Sequence, residues 1–199
     1  KNPFTGKYQL GLNLIHLASF VLDRLELREV ARPYLEMLAG LTQETINIAV
    51  LDRDMCLNIE SIISPKPIQH AGKLGARYPL HCTSTGRVLL SNLPLEKREM
   101  LLKAPLPAHT DKTTTDRQAL NKILTEVQLQ NYAIVRGEYQ EGLSAIAAPI
   151  RDHTGKVIAA ISVSGPTYRF DANRMDENLS LLIDTANEIS IQLGGSIPR

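Results

Sequence analysis

The stretch Ser144-Ala145-Ile146-Ala147-Ala148-Pro149-Ile150-Arg151, followed by Asp152-His153-Thr154-Gly155 and then Lys156-Val157-Ile158-Ala159-Ala160-Ile161-Ser162-Val163-Ser164, decides the fold. Two apolar runs joined by a short polar turn that ends in glycine read as a β-hairpin, so the sheet they enter is antiparallel. In a strand, residues two apart share a face. Val157, Ala159, Ile161 and Val163 form a core face, while Ile158, Ala160, Ser162 and Ser164 point the other way. Gly165-Pro166 ends the run, and residues 132–136 read as a further strand.

Upstream the same period returns. Residues 45–51 alternate, with Ile46, Ile48 and Val50 on one side; Asp52-Arg53-Asp54 turns the chain, and residues 55–62 alternate again. Ser64-Pro65-Lys66-Pro67 breaks this second hairpin, and residues 68–78 read as extended but weakly patterned. Between and around the hairpins the period changes to three and four. Leu10, Leu14, Leu17, Ala18, Val21, Leu22 and Leu25 predict a first helix, and Leu27, Val30, Ala31, Tyr34, Leu35 and Leu38 a second, with a kink or boundary at Pro33. Residues 83–93 read as a short helix, and Pro94 opens another that ends near Lys103. Thr115 and Gln118 form a capping box for a helix that buries Leu120, Ile123, Leu124 and Val127. Asp171 caps the last helix, with Met175, Leu179, Leu182, Ile183, Ala186, Ile189 and Leu193 inward, and Gly194-Gly195 stops it. Helices and hairpins thus fall in separate blocks, which predicts an α+β domain: an antiparallel sheet with packed helices. The strict βα alternation of a doubly wound sheet is absent.

Bulk properties narrow the function. The chain has 199 residues, 43% of them hydrophobic, enough for one sizeable core. Its 22 basic and 21 acidic residues leave a net charge of +1, and the basic residues are scattered. That is poor material for neutralising a DNA backbone. Two cysteines, Cys56 and Cys82, suggest no disulfide framework and fit a reducing cytoplasm. No signal peptide and no membrane-length apolar run is visible.

Two segments carry the chemistry. Leu80-His81-Cys82-Thr83-Ser84-Thr85-Gly86-Arg87 brings small polar residues to a helix start. Unpaired amides and a partial positive charge there suit a carboxylate or phosphate. The competing reading is that Thr83 or Ser84 only caps its own helix. In the second segment, Ser162 and Ser164 share a strand face and line a polar pocket, or else face solvent at a strand end. Other chemistry is weakly signalled. Adjacent His81 and Cys82 do not by sequence alone bring a base within reach of a thiol. His16, His70, His81, His109 and His153 are dispersed, with no Cys-x-x-Cys, so no metal is expected. No Walker loop, dinucleotide fingerprint or nucleophile elbow occurs, so no cofactor is expected either.

Taken together and in order, several segments resemble the IclR family of transcription regulators. They are Tyr8-Gln9-Leu10-Gly11, Ala31-Arg32-Pro33-Tyr34-Leu35, Thr42-Gln43-Glu44-Thr45, Gly75-Ala76-Arg77-Tyr78-Pro79-Leu80-His81, Thr83-Ser84-Thr85-Gly86-Arg87, Tyr132-Ala133, Ile146-Ala147-Ala148-Pro149 and Ile161-Ser162-Val163-Ser164-Gly165-Pro166. The resemblance implies a GAF-like effector-binding domain with a curved antiparallel sheet and a pocket for a small organic acid. It implies residues 1–25 as a linker helix and residues 26–199 as the effector domain. It also implies self-association as a dimer or tetramer, and contact with DNA only through a winged helix-turn-helix domain absent from this chain. By position, Ser84 and Thr85 correspond to the amide donors for the acid, and Ser162 and Ser164 to hydroxyl ligands. Tyr78 and Leu143 join the pocket by the same correspondence.

Two positions depart from members that bind small keto acids, which often carry Asp and Cys where this chain has Val135 and Ala145. An apolar pair supplies no polar anchor. The expectation is therefore a larger or partly apolar acid, aromatic or sugar-derived, bound by a non-enzymatic sensor. Two rivals are an enzyme on a GAF-like fold using Cys82, and a purely structural dimerisation domain. Isothermal titration against a panel of acids should give binding by larger acids and none by glyoxylate or pyruvate; tight glyoxylate binding with none by larger acids would refute the size argument.

Overall fold

A computed structural model describes residue 6 and residues 13–70, 72–103 and 105–195, with side chains of the first helix from Leu27 onward. That helix, α1 (Asn13–Thr42), leads into β1 (Thr45–Asp52), β2 (Met55–Ile62) and β3 (Arg77–Pro79). Then come α2 (Ser84–Ser91), α3 (Leu95–Leu101) and α4 (Arg117–Gln130). The second half holds β4 (Ala133–Arg136), β5 (Leu143–Arg151), β6 (Val157–Pro166), a short 3-10 turn Thr167–Arg169, and α5 (Ala172–Gln192). The six strands form one curved sheet in the order β3-β2-β1-β6-β5-β4, every neighbouring pair antiparallel.

Each sheet face buries a different set of helices. Ile46, Ile48, Ile146, Ile150, Ile161 and Val163 pack with Leu27, Ala31, Leu35 and Leu38 of α1 and Met175, Leu182, Ala186 and Ile189 of α5. The opposite face carries small residues, among them Ala49, Ala133, Ala147 and Ala160, beneath Val88 and Leu90 of α2 and Leu120, Leu124 and Val127 of α4. Large side chains on one face and small ones on the other leave room for a pocket on the α2 side.

Several expectations meet different outcomes. Tyr8–Gly11 and Leu10 lie outside the described residues, as do the side chains of Leu14 to Leu25. At Pro33 the chain does not break, because α1 is continuous through it. Pro33 and Glu29, whose carbonyl loses its helical donor, are both exposed, so water can satisfy that carbonyl. The position expected to separate residues 1–25 from 26–199 falls inside this helix. Most of residues 68–78 stays outside the sheet, which only Arg77–Pro79 join. Side chains hold that loop instead: Thr45 Oγ1 donates to the His70 carbonyl at 2.7 Å and Arg169 to the Ile68 carbonyl at 2.8 Å. A register shift between Ile150 and Arg151 exchanges the faces at the start of β6. Ile158 therefore joins the large core and Val157 the small-residue face, opposite to strict alternation. Gly165 and Pro166 are the last two residues of β6, which ends there as expected.

The cap of α4 is also displaced by one residue. Asp116, not Thr115, accepts from a first-turn amide, that of Ala119 at 2.8 Å. A carboxylate there complements both the free amide and the helix dipole. Asp116→Ala should cost about 1 kcal/mol of unfolding free energy, read from denaturant titration, while Thr115→Ala should leave the midpoint essentially unchanged.

Candidate functional site

Strand register builds the floor of the site. Thr45 pairs with Ser164, Ser164 with Ala145, and Ala145 with Val135, so these four side chains form one row across β1, β6, β5 and β4. Asn47, Ser162, Ala147 and Ala133 form the next row. Asn47 links hydroxyls on both sides: its Oδ1 accepts from Ser61 Oγ at 2.9 Å, and its Nδ2 donates to Ser164 Oγ at 3.4 Å. Asn58 Nδ2 donates to the Lys73 carbonyl at 3.2 Å and to Asn47 Oδ1 at 3.4 Å. Asn58 Oδ1 is buried with no partner. An unpaired buried acceptor is costly, and a ligand hydroxyl would relieve it.

The start of α2 faces this floor. Thr83 caps the helix with extended backbone, its Oγ1 accepting from the Gly86 amide at 3.2 Å and donating to the Pro79 carbonyl at 2.6 Å. The Thr83 carbonyl accepts from the Arg87 amide at 3.0 Å. Among the described residues, the amides of Ser84 and Thr85 have no acceptor. Capping and anion binding are therefore compatible here, because the Thr83 hydroxyl occupies only one of the first-turn donors. Gly86 is required for the approach: a Cβ there would lie 2.3 Å from the Leu80 carbonyl oxygen and 2.5 Å from Leu80 Cα.

A buried ion pair fixes that helix end. Arg87 donates Nη1 and Nη2 to the two carboxylate oxygens of Glu138 at 2.7 and 2.5 Å, and its Nε to the His81 carbonyl at 2.9 Å. The side chains are 3% and 12% exposed, so the pair is largely removed from water. Glu138 in turn accepts from the Thr114 amide at 3.2 Å, and its own carbonyl accepts from Thr113 Oγ1 at 2.6 Å. One guanidinium thereby ties together the segment before α2, the β4–β5 turn and the loop before α4.

Between floor and helix lies a cavity that opens to solvent. Ser84, Thr85, Ser162 and Ser164 all line it, and Val135, Ala145, Leu143 and Tyr78 complete its walls. All eight residues singled out in the sequence therefore meet in one space. Residues the sequence reading passed over also line it, notably Asn47, Asn58, His70, Tyr139 and Gln140. The signal for the two asparagines was available, since Asn is unfavourable inside strands and each sits mid-strand. At the rim the Tyr78 and Tyr139 rings meet edge to face at 5.6 Å, and the Tyr139 and His109 rings lie 5.4 Å apart. No Lys, Arg, Asp or Glu is among the lining residues. Burial holds His70 below the ordinary imidazole range, which favours its neutral form.

Cys82 also borders the cavity, but burial pushes its thiol up to about 12, with the Glu138 charge adding to the effect. Cys56 is raised to about 11, again mainly by burial. Both are free and buried, and both are protonated at neutral pH. Against expectation, dispersed histidines do converge: one ring nitrogen each of His81 and His109 and the Cys82 sulfur lie within 4.8 Å of one another. Among the described residues, no helix is long and apolar enough to cross a membrane.

Residues 19–191 match the family described as bacterial transcriptional regulator IclR C-terminal. The HTH-type transcriptional regulator KdgR of Escherichia coli is 35% identical over 189 residues, covering 94% of this chain and 72% of that protein. An IclR homologue from Microbacterium hydrocarbonoxydans, solved with 4-hydroxybenzoate, superposes with a TM-score of 0.81 at 31% identity, over 93% of this chain and 75% of the other. The inducer-binding domain of a double mutant of PobR from Acinetobacter, solved with 3-hydroxybenzoic acid, gives 0.76 at 33% identity, over 81% and 96%.

Removing one partner of the buried pair should be costly, because it strands a charge. Glu138→Ala is expected to lower unfolding free energy by about 3 kcal/mol, measured by denaturant unfolding. A loss below roughly 1 kcal/mol, the range of exposed pairs, would show that Arg87 does not depend on Glu138.

Proposed function

The chain belongs to the IclR family of bacterial transcriptional regulators, as that family's C-terminal domain, and on that premise we propose that its cavity is an effector site for a small organic acid. The observation that carries this reading is the pair of unpaired amides of Ser84 and Thr85 opening onto a cavity without a charged side chain. A carboxylate at that helix start gains two backbone donors and the favourable end of the helix dipole. Ser162 and Ser164 supply hydroxyls to the same anion or to its neighbouring oxygens. Neutral surroundings strengthen these interactions, since little competing charge or bulk water screens them.

The rest of the acid is set by the far wall. Val135, Ala145 and Leu143 offer apolar contact, while Asn58 Oδ1 waits for a donor. The effector is therefore an aromatic or sugar-derived acid that also bears a hydroxyl group. The hydroxybenzoates bound by the two structural relatives have this combination, which supports the reading. The parent protein is a cytoplasmic regulator that self-associates and reaches DNA through a helix-turn-helix domain joined ahead of α1. Acid binding shifts the balance between assembly states and so changes how those reading domains are held. The site is non-catalytic, because the protonated Cys82 thiol and the neutral walls provide no nucleophile.

Proline at the first helical position removes one amide and keeps the helix, and the extended backbone of Thr83 already suits a residue before proline. Thermal-shift and calorimetric titration with aromatic and sugar-derived hydroxy acids should identify a binder. Against that binder, Ser84→Pro should lose roughly 10- to 100-fold in affinity, the worth of a hydrogen bond to a charged group. Ser84→Ala, which keeps the amide, should lose much less. Equal losses in both variants would remove the amide from the account, and no stabilising acid at all would favour a purely structural domain.

A further inference from the structure

We propose that His81, Cys82 and His109 form a binding site for a single Zn2+ ion beside the acid cavity. The three donor atoms, two imidazole nitrogens and one sulfur, already lie within 4.8 Å of one another. Tetrahedral zinc with bonds of about 2.0–2.1 Å to nitrogen and 2.3 Å to sulfur sets its donors roughly 3.3–3.6 Å apart. Closing that gap takes up to about 1.5 Å at the widest pair. His109 can supply it, since its side chain is exposed while His81 and Cys82 are buried.

The elements that carry these donors are held in place by bonds that do not involve them. His81 and Cys82 lie between β3 and the Thr83 cap of α2, where Arg87 holds the His81 carbonyl. His109 lies in the loop before α4, where Thr110 Oγ1 donates to the Gly137 carbonyl at 2.6 Å. The His81 ring also has the outer partner that a metal-binding imidazole needs. Its Nε2 lies 3.0 Å from the Pro107 carbonyl, so that nitrogen carries the proton and Nδ1 keeps its lone pair. The exposed edge of His109 gives the ion a path from solvent. A set of two nitrogens and one thiolate selects a borderline-soft ion such as Zn2+ over Mg2+ or Ca2+. On binding, the Cys82 S–H bond breaks, a Zn–S bond forms and the proton passes to solvent. One coordination position remains for water. Cys82 borders the acid cavity, so ion and acid would share a wall.

The test uses the full chain freed of metal with a chelator and then titrated with Co2+ as a spectroscopic probe. A thiolate-to-cobalt charge-transfer band should appear, saturate at one ion per chain and be displaced by Zn2+. Cys82→Ser should abolish the band. His109→Ala, at an exposed position where folding is not in question, should weaken Zn2+ at least tenfold. His153→Ala, which removes a histidine outside the cluster, should match the parent. Absence of the band, its survival in Cys82→Ser, or parent-like Zn2+ affinity in His109→Ala would overturn the site. None of these readouts depends on acid binding.

Discussion

The Arg87–Glu138 ion pair is the interaction on which the rest of the site depends. A charged pair with side chains 3% and 12% exposed adds little net stability, since desolvation offsets most of the attraction. Its contribution here is positional. Arg87 sits one turn into α2, so fixing its guanidinium fixes the direction in which the helix presents its first amides. Gly86 makes the same demand from the other side, because any side chain there would collide with the backbone of Leu80. Together they hold the Ser84 and Thr85 amides in place before any ligand arrives, which reduces the ordering cost of binding.

The second constraint is the difference between the two sheet faces. Isoleucine, valine and leucine fill the face toward α1 and α5, whereas alanine and serine dominate the face toward α2. Small residues cannot fill the space under a helix pinned by its own buried arginine, and the cavity is what remains. Its walls carry hydroxyls, amides and aromatic rims but no formal charge. Selectivity in such a site comes from shape and from satisfying Asn58 Oδ1, because a ligand that leaves a buried acceptor unpaired forfeits much of its affinity.

Much of this was legible in the chain itself. The period-two hairpin ending in Ser162 and Ser164, and the small polar run into Thr83, were readable because each depends on local periodicity or capping. Cross-strand register was not readable, and it is register that sets Asn47 beside Ser162 and Ser164 beside Ala145. The exchanged faces of Val157 and Ile158 arose from a bulge, which a strict alternation rule cannot foresee. His70 and Tyr139 enter the pocket through tertiary packing of loops whose own sequence has no period. His81 and His109 are separated by two helices, so their convergence near Cys82 also lay beyond sequence spacing.

Effector and assembly can be coupled only if the acid contacts an element that differs between assembly states. Arg87 and Glu138 join the start of α2 to the β4–β5 turn and to the loop before α4, so an acid held there acts on all three segments. The most direct measurement of the central claim is an amide 15N–1H spectrum recorded while the best-stabilising acid is titrated in. The account predicts that the Ser84 and Thr85 amides shift most, downfield as each gains an anionic acceptor. Largest shifts elsewhere in the chain, with these two amides unmoved, would contradict it.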